Sequence, residues 1–177
     1  MNLISITGPE STGKSSLSRS LAAHYGALWV REYAREYLAA LGRAYVYEDI
    51  ARIAKEQLRR EEAMAQKSES YLFCDTDPLV CKIWSRFKYG KSDPWIDAAV
   101  ESHRYDLYLL CDIDLPWVED PFREHPDRRK ELFDLYFCEL KSLGARLEVI
   151  SGQGRARLDH AISIIDKAFT DQRSSHE

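Results

Sequence analysis

The amino-acid sequence predicts a single α/β domain, a three-layer sandwich in which helices cover both faces of a five-stranded parallel sheet and a lid closes one edge. Short apolar runs alternate along the chain with longer amphipathic segments, as in folds whose parallel strands are joined by helices. The runs are continuously apolar, which is typical of strands buried on both faces. A glycine-rich turn follows the first run directly.

The individual elements follow from these runs and from the residues that punctuate them. Strands are predicted at residues 3–7, 27–30, 71–75, 106–111 and 146–150. Apolar side chains recur at helical spacing between the strands, most clearly over 80–87 and 132–140. Glycine is typical just past a helix end, and glycines follow helical segments at positions 26, 42, 90 and 144. Asp93-Pro94 is a typical helix start.

Composition restricts the class of protein. We expect one domain over residues 1–170 and a disordered tail at 171–177. The net charge of −4 gives no general attraction for nucleic acid or for an anionic membrane. No apolar run approaches the roughly 20 residues of a spanning helix, and no secretion signal is visible. Because the four cysteines include no C-x-x-C pair, we expect reduced thiols in a cytoplasmic protein.

The turn after the first strand, "GPESTGKSS", has the spacing of a phosphate-binding P-loop, which makes the predicted fold that of P-loop NTPases. Glycines allow close backbone approach, and successive N–H groups with the following helix N-terminus bind an anion. Lys14 is expected at the β- and γ-phosphates and Ser15 at Mg²⁺. The predicted ATP-binding residues are Gly8, Pro9, Glu10, Ser11, Thr12, Gly13, Lys14, Ser15 and Ser16.

Other motifs favour a small kinase among P-loop proteins. A GTPase would carry a guanine-reading N-K-x-D after the fourth strand, where "LLCDIDLPW" stands instead. We do not expect a motor or an AAA-type ATPase, because the chain is short and no Asp-Glu pair follows an apolar strand. A small kinase needs acids after the second and third strands and a basic lid, and all three are present.

Three acids stand where parallel strands end and ligands bind. Glu32 follows the second strand and is a candidate to orient the acceptor hydroxyl and take its proton, or alternatively a solvated first-turn acid. Asp75 is a candidate catalytic and magnesium-binding residue beside Ser15. Asp77, next to Pro78, is a candidate to bind ribose hydroxyls or a plain helix N-cap, or both.

The long segment 112–130 is predicted to be a lid. Arg123, Arg128 and Arg129 are its candidates for neutralising charge on the transferring phosphoryl group, Arg123 first, although the segment also suits a charged surface loop.

Two further sets of residues are candidates for ring binding. Trp117, Tyr33 and Tyr37 are candidates to stack on a planar, cationic ring, with core packing as the alternative. After the fifth strand, Gly152 and Gly154 would let the backbone approach adenine, with Arg155 or Arg157 covering the base.

Taken together, these motifs resemble the ribosylnicotinamide kinase domain of the bacterial bifunctional NAD-biosynthesis protein that also carries an adenylyltransferase. The resemblance rests on "GPESTGKS", "EYAREYL", "DTD", "YDLYLLC", "DIDLPWVEDPFR" and a glycine followed by an arginine after the fifth strand, from residue 8 to about 157. It implies phosphorylation of the 5′-hydroxyl of nicotinamide riboside with ATP and Mg²⁺. It also implies acceptor-site or lid roles for Glu32, Arg35, Asp75, Asp77, Trp117 and Asp120.

No H-x-G-H motif surrounds any of the five histidines, so we expect a kinase module without the adenylyltransferase. Two other functions stay open: a P-loop kinase for another nucleoside or small metabolite, and a regulatory ATP-binding module with little turnover. The oligomeric state is not predicted.

Overall fold

The computed structural model describes residues 1–170, and the predicted disordered tail lies outside the described residues. The strands are β1 (Asn2–Thr7), β2 (Leu28–Val30), β3 (Tyr71–Asp75), β4 (Leu107–Cys111) and β5 (Leu147–Ile150). They form one parallel sheet in the order β2-β3-β1-β4-β5. The predicted five-stranded parallel sheet is therefore confirmed, and each strand lies within about a residue of its predicted position.

Seven α-helices connect and cover the strands within residues 1–170. They are α1 (Lys14–Tyr25), α2 (Tyr33–Ala40), α3 (Tyr47–Ala65), α4 (Pro78–Tyr89), α5 (Pro94–Ser102), α6 (Arg129–Ser142) and α7 (Gly154–Thr170). Neither α3 nor α7 is predicted from the sequence. In α3 the buried face includes the polar residues Asp49, Gln57 and Glu61, which interrupt its apolar stripe.

The strands are apolar throughout because each face of the sheet has its own core. Leu72, Cys74 and Leu110 point into a core formed with α3, α4, α5 and α6. Phe73 and Leu109, their neighbours along the strands, point into the core formed with α1 and α7. Complete burial of side chains such as Phe73 contributes roughly 1.5–3 kcal/mol each.

The strand order places a crevice at one edge of the sheet. β1 lies between β3 and β4, so the chain leaves β1 toward β2 and β3 on one side and later crosses to β4 on the other. Ligands bind outside the carboxyl ends of the strands at such a switch point. Ile6 of β1 pairs with Asp75 of β3, so the loops that follow these two strands begin side by side.

The segment predicted as a lid is irregular over residues 112–125, continues as a 3₁₀ turn at Pro126–Arg128 and then enters α6. We call residues 112–128 the β4–α6 loop. Arg129 and Lys130 therefore belong to a helix instead of the loop. No helix within residues 1–170 is long and apolar enough to cross a membrane.

Candidate active site

The loop between β1 and α1 has the backbone shape that its glycines predicted. Gly8 has a φ of +130°, and a β-carbon there would lie 3.0 Å from the carbonyl oxygen of Cys111. Gly13 has a φ of +77° and precedes Lys14, the first residue of α1. Ser11 also adopts a left-handed conformation, with φ +57°. A loop of this kind ahead of a helix N-terminus forms an anion-binding concavity.

Lys14 is held across this loop by a neutral partner. Its Nζ donates to the carbonyl oxygen of Pro9 at 2.7 Å, and Thr12 Oγ1 donates to the same oxygen at 2.8 Å. Within residues 1–170 no carboxylate forms an ion pair with Lys14. No carboxylate therefore competes at its ammonium group with an anion bound on the loop.

An open cleft of about 200 Å³ extends from this loop toward the start of α2. Its lining includes all nine residues of "GPESTGKSS", and Glu32 and Arg35 lie on its lining as well. The nine predicted ATP-binding residues and these two candidate acceptor residues therefore share one cleft.

Asp75 lies at the end of β3 with 1% exposure, and its Oδ1 has no hydrogen-bond partner within the described residues. Burial, followed by the negative charge of Glu32, raises the pKa of Asp75 to about 6, against the opposing effects of Ser15 and Lys14. A buried, unpartnered carboxylate oxygen near a serine hydroxyl fits Mg²⁺, which prefers oxygen ligands and retains waters. No cluster of three metal-ligating side chains occurs in residues 1–170, so phosphate and water would complete the coordination.

Asp77 caps a helix, as one of the two interpretations predicted. Its Oδ1 accepts from the backbone N–H of Val80 at 3.1 Å, and the Ser5 hydroxyl donates to its Oδ2. Burial raises the pKa of this carboxyl to about 6. Asp77 does not line the cleft, so ribose binding by this residue stays a prediction that would require its cap to open.

Three predicted acceptor-site residues meet at the start of α2, where two of them, Glu32 and Arg35, line the cleft. Arg35 donates from Nε to Glu32 at 3.1 Å and from Nη1 to Asp120 of the β4–α6 loop at 2.6 Å. The side chains of Glu32 and Asp120 are about one-fifth exposed. Hydrogen bonding from Arg35 lowers the pKa of Asp120. One guanidinium group therefore connects α2 with this loop.

The three arginines predicted for the lid have different surroundings. Arg123 lines the cleft and donates to Ser11 Oγ at 3.3 Å and to the Val118 carbonyl. Arg129 donates to the carbonyl oxygens of Leu115 and Ser11, at 2.9 and 3.3 Å.

Arg128 pairs instead with Glu131 and lies over the ring of Phe87. Of the three arginines, Arg123 is the one that lines the cleft.

The β4–α6 loop is also bonded directly to the P-loop. Glu10 accepts from the backbone N–H groups of Glu124 and His125, both at 3.1 Å. Ser11 Oγ accepts from the N–H of Val118 at 2.9 Å. Hydrogen bonds to both Glu10 and Ser11 therefore hold the β4–α6 loop against the P-loop.

Arg157 is buried, and its hydrogen bonds connect the P-loop to the β4–α6 loop. It donates to Asp114 Oδ1 at 2.7 Å and to the carbonyl oxygen of Thr12 at 2.9 Å. Gly152 N donates to the second oxygen of Asp114 at 2.5 Å. Arg155 is exposed and pairs with Asp159 on α7. The predicted covering of adenine by either arginine stays a prediction that these positions do not favour.

The cleft contains aromatic rings, but they are not those of the predicted residues Trp117, Tyr33 and Tyr37. Tyr33 lies under the Arg60 guanidinium, Tyr37 donates to Asp49, and Trp117 donates to Glu119. The aromatic residues that line the cleft are Trp84, Phe87, Phe122 and Tyr136. Trp84, Phe87 and Tyr136 lie in segments where the sequence predicts only apolar residues at helical spacing, and spacing alone does not distinguish a core from a cleft wall.

Comparison with known proteins agrees with this geometry. The family model described as AAA domain matches residues 3–157. The trifunctional NAD biosynthesis/regulator protein NadR of Salmonella typhimurium and that of Escherichia coli are each 30% identical over 124 residues, which is 68% of this chain. The chain spans about 30% of the length of these relatives.

Solved structures show the same fold. A NadR protein in complex with NAD and AMP-PNP has a TM-score of 0.77 at 22% identity, covering 94% of this chain and 49% of that chain. A NadR protein in complex with NR has a TM-score of 0.78 at 23% identity, covering 94% and 51%. Thymidylate kinase from Ehrlichia chaffeensis has a TM-score of 0.68 at 14% identity, covering 93% and 98%. The predicted P-loop NTPase fold is therefore confirmed.

Proposed function

We propose that this chain, which belongs to the AAA domain family, is a cytoplasmic P-loop kinase that transfers the γ-phosphoryl group of ATP to the 5′-hydroxyl of nicotinamide riboside. The observation that carries the proposal is the single cleft that joins the P-loop to the Glu32–Arg35–Asp120 cluster. Phosphoryl transfer requires alignment, exclusion of water and neutralisation of charge, and the cleft supplies a residue for each.

The AAA description names a domain family and states no activity, so one expectation from the sequence stays a prediction. We do not expect a motor or an AAA-type ATPase, because the chain is short and no Asp-Glu pair follows an apolar strand. That observation is correct, since Asp75 at the end of β3 is followed by Thr76. The matching family nevertheless carries the AAA description over residues 3–157. The matched NadR relatives are also described as trifunctional, whereas the resemblance had suggested a bifunctional protein.

In the proposed reaction the P-loop amides hold the phosphate chain and Lys14 leaves Pro9 to contact the γ-phosphate. Ser15 and Asp75 would hold Mg²⁺, which neutralises negative charge on the phosphates when it is bound. Arg123 faces the same site from the β4–α6 loop and stabilises charge on the transferring group. This loop acts as the lid that excludes water.

At the acceptor end, Glu32 accepts the proton of the 5′-hydroxyl as that oxygen attacks the γ-phosphorus. The bond from the γ-phosphorus to the β–γ bridging oxygen breaks, and ADP leaves with that oxygen. Arg35 holds the Glu32 carboxylate by a hydrogen bond from Nε, and Asp120 holds Arg35 in turn. Glu32 thus acts as the general base and Arg35 as the residue that orients it.

Features of the cleft support a nucleoside with a cationic ring. Trp84, Phe87 and Phe122 line the cleft. Glu32 lines it as well, and its negative charge lies close enough to Asp75 to raise the pKa of that carboxyl. Aromatic faces and negative charge both favour a positively charged ring over a neutral one. Since the net charge is −4, we propose a small-molecule acceptor and no nucleic acid partner.

The test is ADP release from Mg-ATP in the presence of a panel of nucleosides, with identification of the phosphorylated product. We expect nicotinamide riboside to stimulate release most strongly. Preference for another nucleoside would contradict the proposed acceptor but would still support a P-loop kinase. Absence of stimulation by every nucleoside would favour a regulatory ATP-binding module and would contradict the proposal.

The Glu32→Gln variant tests the general base separately. We expect a fall in kcat of roughly 10²–10⁴-fold with little change in KM for ATP, because the amide cannot take the hydroxyl proton. Glu36→Gln, on the exposed face of the same helix, is the matched control and should keep full turnover. Full turnover by Glu32→Gln would show that the base is another carboxylate.

A further inference from the structure

The position of Glu32 depends on where α2 begins. Glu32 is the N-cap residue of α2, and its carboxylate makes no capping hydrogen bond to the helix. The first N–H group of the helix, that of Tyr33, therefore needs a partner from elsewhere, since N-terminal helix amides have none within the helix. Gln57 of α3 supplies it, because Gln57 Oε1 accepts from Tyr33 N at 2.9 Å.

Gln57 is itself fixed by a buried acid. Gln57 is 2% exposed. Its Nε2 donates to Glu61 Oε1, one helical turn further along α3, at 3.4 Å. Glu61 is 1% exposed and accepts from Tyr105 Oη at 2.6 Å through its other oxygen. His103 Nε2 lies 3.5 Å from that same oxygen.

These contacts give the Gln57 amide one orientation. A carboxylate accepts hydrogen bonds and an amide nitrogen donates them, so the Gln57 nitrogen faces Glu61. The Gln57 oxygen consequently faces Tyr33. The result is a continuous connection from the base of the sheet at Tyr105, through Glu61 and Gln57, to the backbone that carries Glu32.

We propose that Gln57 is a positioning residue, which holds the first turn of α2 and thereby the Glu32 carboxylate at the acceptor end of the cleft. This inference rests on the proposed function only for the role of Glu32. Gln57 acts through the backbone of Tyr33, although it also lines the cleft. Loss of its hydrogen bonds lets the start of α2 shift while the P-loop, on a different connection, keeps its place.

The first test is a double-mutant cycle between Gln57→Leu and Glu32→Gln. We expect Gln57→Leu alone to lower kcat for the nucleoside roughly tenfold or more, since a displacement of about 1 Å can cost about 10²-fold in rate, with KM for Mg-ATP nearly unchanged. In the Glu32→Gln background the same substitution should have an effect of about twofold or less. Additive effects, or a change confined to KM for the nucleoside, would overturn the proposal in favour of direct contact with the acceptor.

The second test does not require kinase activity. Hydrogen exchange of the Tyr33 amide in the unliganded protein should be faster in Gln57→Leu than in the wild type. Gln66→Leu places the same substitution at an exposed site just past the end of α3 and should leave Tyr33 unchanged. If Gln57→Leu fails to fold, Gln57→Met removes the same two hydrogen bonds with an unbranched side chain.

Unchanged exchange at Tyr33 in a folded variant would overturn the proposal even if the wild type is an active kinase. Conversely, a wild type that phosphorylates no nucleoside would contradict the proposed function, and the exchange measurement would still decide whether Gln57 holds the start of α2.

Discussion

At the residue scale, burial disfavours the ionised forms of two aspartates, Asp75 and Asp77. Asp75 and Asp77 each have a pKa of about 6 in the folded chain against an ordinary value of 3.8, mainly because both are buried. The folded protein therefore binds more protons than the unfolded chain between these values. The free energy of unfolding is therefore expected to fall as the pH rises through about 6. Ionised Asp75 is the form proposed to bind Mg²⁺, and this form destabilises the unliganded protein.

The Asp75→Asn variant should separate these two effects. We expect it to stabilise the unliganded protein at pH 8, by at most roughly 3 kcal/mol, because no buried charge has to form. The gain should disappear near pH 4, where Asp75 of the folded wild type is protonated. Phosphoryl transfer should be lost, since the amide is a poor ligand for Mg²⁺. Chemical denaturation at both pH values measures the stability.

Asp127→Asn, at an exposed residue of the 3₁₀ turn, is the control and should change neither stability nor activity. A loss of stability in Asp75→Asn at pH 8 would show that the charged form is not the unfavourable one.

At the element scale, the β4–α6 loop is held by helices as well as by the P-loop. Tyr45 Oη donates to Glu124 of the loop at 2.6 Å and accepts from Lys88 and Trp84 of α4, at 2.6 and 2.9 Å. Burial and the bond to Glu124 raise the pKa of Tyr45 to about 12, so the hydroxyl keeps its proton at neutral pH. This hydroxyl is the centre of a polar cluster that connects the loop to α4.

Tyr45→Phe should loosen the loop without removing a residue that contacts the phosphates. We expect faster hydrogen exchange over residues 112–125 and a several-fold higher ratio of ATP hydrolysis to nucleoside phosphorylation, because a looser lid admits water. Tyr47→Phe is the matched control, since Tyr47 lies nearby, at the start of α3, and packs its ring on Tyr89 at the end of α4. An unchanged ratio would mean that the P-loop contacts alone keep this loop closed.

At the scale of the whole molecule, the sheet order brings the nucleotide and acceptor residues to one crevice. Binding there must stabilise the entire domain, since the P-loop, α2 and the β4–α6 loop all border the cleft. A ligand that binds the folded chain alone stabilises it by about 2.7 kcal/mol at a concentration of 100 times Kd.

We therefore expect a non-hydrolysable ATP analogue with Mg²⁺ to raise Tm by several degrees, as measured by calorimetry. Lys14→Ala should keep the Tm of the unliganded protein, because the only partner of the Lys14 ammonium group within residues 1–170 is a carbonyl oxygen of its own loop. The variant should lose most of the ligand-induced rise. A full rise in Lys14→Ala would show that the analogue binds elsewhere.

The sequence by itself determined the sheet, the P-loop and the candidate acids, because each depends on local information. Continuous apolar runs mark strands that are buried on both faces, and glycine spacing after a strand marks a phosphate loop. The same local information placed Glu32 and Asp75 at strand ends, where the crevice of a parallel sheet must lie.

Only the tertiary structure decided which side chains face the cleft. Arg157 donates to the carbonyl oxygen of Thr12, and Arg128 pairs with Glu131. Trp84 and Phe87 line the cleft. Gln57 gave no signal in the sequence, since its importance comes from a partner 24 residues away. Such roles depend on how helices pack against one another, and residue type and spacing along the chain do not record that packing.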